Sequence, residues 1–210
     1  MAGNVIFYTN PMSRGQIVRW MLEEVGAPYE TRILGYDGAM QSADYLTVNP
    51  MGKVPAIVHD GQVVTECAAI CAYLAGAFPD ADLAPHAGER AAFLRWMFFA
   101  AGPVEQAVVN KAMGWVPEDP GRERMLGYRS YERMVDVLAA HVGSHNFVCG
   151  DRFTAADVYV GSQVLWGVEF GTLPKRDEFA AYADRLRTRE PYQRAKAIDD
   201  ALIAEAQAAG

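Results

Sequence analysis

No apolar stretch of this chain reaches the roughly 18 residues that a membrane-spanning helix needs. The longest candidates are interrupted by Glu66 and Arg95. The opening residues, Met1 to Arg14, hold no early positive charges followed by an apolar segment, so a secretion signal is not expected. Cysteine is scarce: Cys67, Cys71 and Cys149 make an odd count without paired spacing. That argues against a disulfide framework and for reduced thiols in the cytoplasm. Basic side chains are outnumbered, 19 Lys plus Arg against 26 Asp plus Glu, for a net charge of −7. Phosphate backbones are held through Lys and Arg with release of counterions, so nucleic acid is not an expected partner. Internal repeats and low-complexity tracts are absent too. What is abundant is hydrophobic residues, 51% of 210, enough to exclude a disordered chain. This length fits one large domain or two small ones.

The first 78 residues alternate strand and helix signals. Val5-Ile6-Phe7-Tyr8 is a short strand ended by Asn10-Pro11. From Arg14 to Val25 the residues Ile17, Val18, Met21, Leu22 and Val25 share one helical face, and Gly26 is a natural stop. Tyr29 to Leu34 reads as a second strand, parallel to the first because a helix connects them. Val54–Val58 and Gln62–Val64 flank Asp60-Gly61, a strong hairpin signal, and Thr65 is positioned to cap a helix running to about Phe78. The order β-α-β then β-β-α describes a thioredoxin-like α/β domain with a four-stranded mixed sheet.

Residues 79–88, rich in Pro, Asp, Ala and Gly, read as a linker. Residues 89–210 read as an all-helical bundle domain. Its segments are Glu89–Val109, open to interruption at Gly102-Pro103, then Glu123–Val142, a run after the capping box Thr154–Asp157, Asp177–Arg189 and Tyr192–Ala208.

Three turns could carry chemistry, and all fall at one end of the expected sheet. Thr9 to Arg14 joins a strand to a helix N-terminus, where unpaired N–H groups stabilise an anion; Ser13 could donate a hydrogen bond there, or simply cap the helix. Gly52-Lys53-Val54-Pro55 places a proline at a strand start, either as a trans residue on an edge or as a cis peptide turning the Val54 N–H and C=O toward a peptide-like ligand. Glu66, in the first turn of the next helix, either complements the helix dipole or receives a ligand ammonium. Metal sites are not expected. Cys67/Cys71 and His141/His145 each sit at i and i+4, without further ligands nearby, and His59 and His86 lie near turns.

Taken together, FYTNPMSRGQIVRWMLEEVGAPYE, NPMGKVPAIVHDG, VTECAAICAYLA and GDRFTAADV resemble, in order, four segments of the glutathione S-transferase family. The resemblance implies a transferase with glutathione as co-substrate, no metal, and an apolar electrophile as second substrate. It also implies a cytoplasmic homodimer without membrane attachment, working in detoxification. Ser13 stands two positions after Pro11, as in serine-type members, and Tyr8 matches the catalytic tyrosine of tyrosine-type members; the Pro-x-Ser turn is the closer match. Val54 and Pro55 would meet the cysteinyl part of glutathione, Glu66 and Cys67 the γ-glutamyl end, and Lys53 the glycyl carboxylate. Cys67 departs from the family's usual serine, and a thiol is the weaker donor. Met12, Phe98, Phe99 and Trp115 are candidates for the electrophile pocket, expected between the domains. A binding or regulatory protein of the same fold, without transferase activity, is the competing expectation.

Overall fold

The computed structural model describes residues 4–208, the side chain of Pro120 excepted. It divides into two compact units, one formed by Met1–Ala84 with Thr188–Gly210, the other by Pro85–Arg187.

The first unit is built on β1 (Val5–Thr9), β2 (Tyr29–Ile33), β3 (Ala56–His59) and β4 (Gln62–Thr65), in spatial order β2-β1-β3-β4. β1 and β2 are parallel, and β3 runs antiparallel to both β1 and β4, which is the mixed sheet expected. Period two is plain along β1. Val5, Phe7 and Thr9 are fully buried, whereas Ile6 and Tyr8 face the other side and are half-buried. The helices are α1 (Gly15–Val25), α2 (Ala43–Val48) and α3 (Cys67–Ala77). α1 buries Ile17, Val18, Met21 and Leu22, and Gly26 ends it at φ +63°, a left-handed conformation that costs glycine little. α2 has no counterpart in the sequence reading; Ser42 caps it by accepting from the Tyr45 N–H at 3.3 Å.

The second unit holds α4 (Arg90–Phe99), α5 (Glu105–Met113), α6 (Tyr131–Ser144), α7 (Ala155–Glu169) and α8 (Asp177–Arg187). A π-helical turn at Ala100–Val104 links α4 to α5 where the sequence places Gly102-Pro103; the wider winding accommodates a proline that has no N–H to donate. α6 begins at Tyr131, later than the expected Glu123. Asp119 and Pro120 start a separate 3₁₀ turn over Pro120–Met125, and Ser130 then caps α6 through the Arg133 N–H at 3.2 Å. The capping box at α7 is present as expected. Asp157 is fully buried and accepts from the Val148 N–H (2.7 Å), the Thr154 N–H (2.9 Å) and the Tyr182 hydroxyl (2.8 Å). Desolvation pushes its carboxyl up to about 6, and these donors pull the other way.

One boundary differs from the sequence reading. The last helix, α9 (Glu190–Ala208), belongs with the first unit, packed along α1. Arg19, in the middle of α1, is fully buried and pairs with the buried Asp199 at 2.8 Å. Glu24 holds Arg189 with two bonds of 2.7 Å, and Trp20 meets the Tyr192 ring edge-on at 5.0 Å.

Candidate active site

The strand register brings the three turns together. β3 is antiparallel to β1 and β4, so the end of β1, the start of β3 and the end of β4 lie at one edge of the sheet, with Ala56 opposite both Tyr8 and Thr65. A sulfur-to-carbonyl contact also ties the starts of two helices: the Cys67 thiol donates to the Arg14 carbonyl at 3.7 Å.

The first turn is ordered by Asn10. This buried side chain donates to the Leu34 carbonyl at 2.9 Å and accepts from the Met12 N–H at 2.9 Å. Its backbone carbonyl accepts from the Ser13 N–H (3.0 Å) and the Ser13 hydroxyl (2.7 Å). The half-buried Ser13 Oγ also accepts from the Gly15 N–H at 2.9 Å. Ser13 thus satisfies one of the unpaired donors at the start of α1, although the residue that precedes the helix is Arg14, without a side-chain cap of its own. Gly15 is required for space. A Cβ there would lie 1.9 Å from Thr9 Oγ1.

In the second turn the Val54–Pro55 peptide is cis. The Val54 N–H and C=O make no hydrogen bond to any described residue. The Lys53 carbonyl, by contrast, accepts from the Tyr45 hydroxyl (2.5 Å) and from Asn49 Nδ2 (2.7 Å), which anchors the loop. The Lys53 side chain is exposed and forms no ion pair among the described residues.

In the third turn Glu66, not Thr65, is the residue that precedes α3, at φ +66° and ψ +119°. A non-glycine residue there carries strain of about 1–3 kcal/mol, of the kind that persists where a site demands it. The Glu66 carboxylate is exposed and unpaired among the described residues. Cys67 follows, buried, at the first position of the helix.

Tyr8 lies on the sheet face opposite Phe7 and Thr9. Its hydroxyl accepts from Arg32 at 3.2 Å and its ring meets Tyr45 at 5.4 Å. Met12, Phe98 and Trp115 are all exposed, and Phe99 is half-buried. The sequence reading missed Tyr36, an exposed aromatic whose hydroxyl reaches the Met12 carbonyl at 3.4 Å. It also missed the organising role of Asn10, for which the Asx-turn preference of asparagine was the available signal.

The protein's own thiols are poor nucleophiles at two of three positions. Full burial pushes the Cys71 thiol well up, and burial pushes Cys149 up to about 11. The edge instead offers a hydroxyl donor, a free peptide N–H and C=O, a carboxylate and an ammonium. Those groups suit an extended ligand that carries peptide and charged groups.

Comparison with known proteins identifies the family. Residues 12–77 match the model of the glutathione S-transferase N-terminal domain. Glutathione S-transferase GstA of Escherichia coli O157:H7 is 30% identical over 166 residues, covering 77% of this chain and 78% of that protein. The chain belongs to the glutathione S-transferase family. A glutathione transferase from Methylococcus capsulatus strain Bath superposes with a TM-score of 0.75 at 28% identity, over 93% of this chain and 98% of the other. A theta-class glutathione S-transferase from Xanthomonas axonopodis pv. citri, solved with glutathione bound, gives 0.71 at 26% identity, over 93% and 97%. The thioredoxin-like assignment of the first unit thus stands, and the structural likeness extends over most of the chain.

Proposed function

We propose that this chain is a glutathione S-transferase that activates the glutathione thiol with Ser13. The observation that carries the reading is the Ser13 hydroxyl at the start of α1, at the same end of the sheet as a Val54 backbone whose N–H and C=O are unused among the described residues. The Val54 N–H and C=O pair with the cysteinyl unit of the tripeptide, next to Pro55. Glu66 takes the γ-glutamyl ammonium, the backbone N–H groups near Cys67 take its carboxylate, and Lys53 takes the glycyl carboxylate.

A free thiol with a pKa near 8.5 is only a few per cent thiolate at neutral pH. A hydroxyl donating to sulfur at the positive end of a helix favours the ionised form. A downward shift of about two units is worth roughly 2.7 kcal/mol and makes the thiolate dominant. The sulfur then attacks an electrophilic carbon of a small apolar second substrate, held near the exposed Met12 and Tyr36 side chains. The protein needs no covalent intermediate of its own; it supplies ionisation and proximity.

The chain acts as a homodimer in a reducing cytoplasm, where a detoxifying conjugation is chemically useful. None of its three cysteines is in a disulfide, and α3 exposes Ala69, Ala72 and Gly76 with no charged residue anywhere in the helix. Sedimentation should give twice the chain mass, and a monomer at micromolar concentration contradicts the dimer.

The activity is tested by retention on immobilised glutathione followed by turnover of a general aromatic electrophile. Ser13→Ala should lower kcat by about 10–100-fold with a small change in glutathione affinity, because the loss falls on the ionised sulfur. Glu66→Ala should chiefly raise the glutathione Kd. Retention without turnover by the native protein supports a binding module instead.

A further inference from the structure

We infer that Asn10 is a positioning residue that sets the acidity of the bound thiol by way of Ser13. The inference rests on the proposed role of Ser13 and adds a residue to it. In this turn the Ser13 hydroxyl is committed: it donates to the Asn10 carbonyl at 2.7 Å and accepts from the Gly15 N–H at 2.9 Å. To donate to a sulfur it must release Asn10. That release is cheap, because the same carbonyl keeps the Ser13 N–H at 3.0 Å and so is not orphaned. The Gly15 N–H stays on the oxygen throughout, and a hydroxyl that accepts one hydrogen bond is a stronger donor of the next.

The direction of this switch depends on where the Asn10 carbonyl sits. Its position is fixed from both sides. The Asn10 side chain donates to the Leu34 carbonyl and accepts from the Met12 N–H, each at 2.9 Å. The Leu34 N–H in turn donates to the Thr9 carbonyl at 2.9 Å, tying β1 to the chain just after β2. One buried amide thus bolts the serine turn to the sheet. Neither an aspartate nor an alanine makes both contacts: ionised aspartate would set an oxygen against the Leu34 carbonyl, and alanine makes neither. Without the bolt the hydroxyl keeps its local partners but loses its fixed direction relative to the ligand backbone on Val54.

The test is a double-mutant cycle read on the thiol itself. Native protein, Asn10→Ala, Ser13→Ala and the double variant are saturated with glutathione, and the thiol is titrated by its thiolate absorbance in the ultraviolet. Calorimetry gives the glutathione Kd, and circular dichroism with a thermal melt checks folding. Asn10→Ala should raise the thiol pKa by most of the rise that Ser13→Ala causes, with kcat/KM at low pH falling in step and the Kd little changed. The double variant should be no worse than Ser13→Ala alone, because Asn10 acts only through that hydroxyl. Asn10→Asp, which keeps the Met12 contact, should shift the pKa in the same direction but less, and it carries the test if the alanine variant does not fold. An unchanged thiol pKa in a folded Asn10 variant, alongside a raised one in Ser13→Ala, overturns this inference and leaves the serine assignment standing. An unchanged pKa in Ser13→Ala overturns both. Additive effects in the double variant mean that Asn10 acts by another route, and they overturn the inference too.

Discussion

The tyrosine and serine readings of this site differ in which hydroxyl meets the thiol. The Tyr8 hydroxyl accepts from Arg32 on the sheet face opposite Thr9, whereas the Ser13 hydroxyl stands at the start of α1. Tyr8→Phe should therefore leave kcat/KM within about threefold of the native value, far less than the Ser13→Ala loss. A crippled Tyr8→Phe with a mild Ser13→Ala would reverse the assignment. Gly15 permits the close approach of α1 to β1. Gly15→Ala drives a methyl against the fully buried Thr9 and should cost about 1–3 kcal/mol in a denaturant melt. Adding Thr9→Ala, which deletes the colliding oxygen, should recover part of that loss; no recovery would place the strain elsewhere. Ser13, Pro55 and Glu66 stood out through their joint spacing at one end of the expected sheet and through the family resemblance, since serine and glutamate are common types at a helix start. Asn10 was not, because Asn-Pro reads equally well as a strand terminator, and only the partner carbonyl of Leu34 reveals its second function.

Helix starts decide much at the level of the element. Period and Gly26 located α1, and Thr154 with Asp157 located α7, because a cap is a local device written within four residues. α6 was placed too early, since Arg122, Glu123 and Arg124 are good helix formers captured by a proline-led 3₁₀ turn. The α7 cap also has a pH signature. The Asp157 carboxyl rises from 3.8 to about 6 by burial, so between those values the folded protein keeps a proton that the unfolded chain has released. The associated stability is complete below the lower value and is lost as pH rises through the upper one, a change of about 3 kcal/mol. Asp157→Asn removes that dependence while weakening the cap. Its destabilisation relative to the native protein should shrink as urea melts are moved from pH 4 to pH 6.5. A penalty that grows over this range would show that the hydrogen bonds to the ionised carboxylate outweigh its desolvation.

For the whole molecule the decisive contact joins α1 to the far end of the chain. Arg19 and Asp199 are both buried, and removing one partner of such a pair leaves an uncompensated charge. Asp199→Ala should lower stability by about 3–5 kcal/mol, measured by denaturant unfolding, and should quench or shift the fluorescence of Trp20, which packs on Tyr192 of α9. Arg19→Met with Asp199→Leu should restore most of the stability, because it removes both buried charges together and the Phe7 and Tyr29 rings flank the arginine head. Failure of the double variant to recover would mean that the ion pair orients α9 as well as filling space.

Local pattern alone located the four strands, most of the helices and the mixed order of the first sheet, though not α2 or the start of α6. Alternation, helical period, caps and turn chemistry act over a few residues and are printed directly in the chain. Tertiary structure alone decided the rest. It placed α9 with the first unit, because a buried arginine needs a carboxylate and the nearest one available in space is far away in sequence. It set Glu66 at a positive φ, and it gave Asn10 its bolt to Leu34. Those outcomes depend on which distant groups satisfy a buried charge or a backbone donor, and no short window of sequence contains both partners.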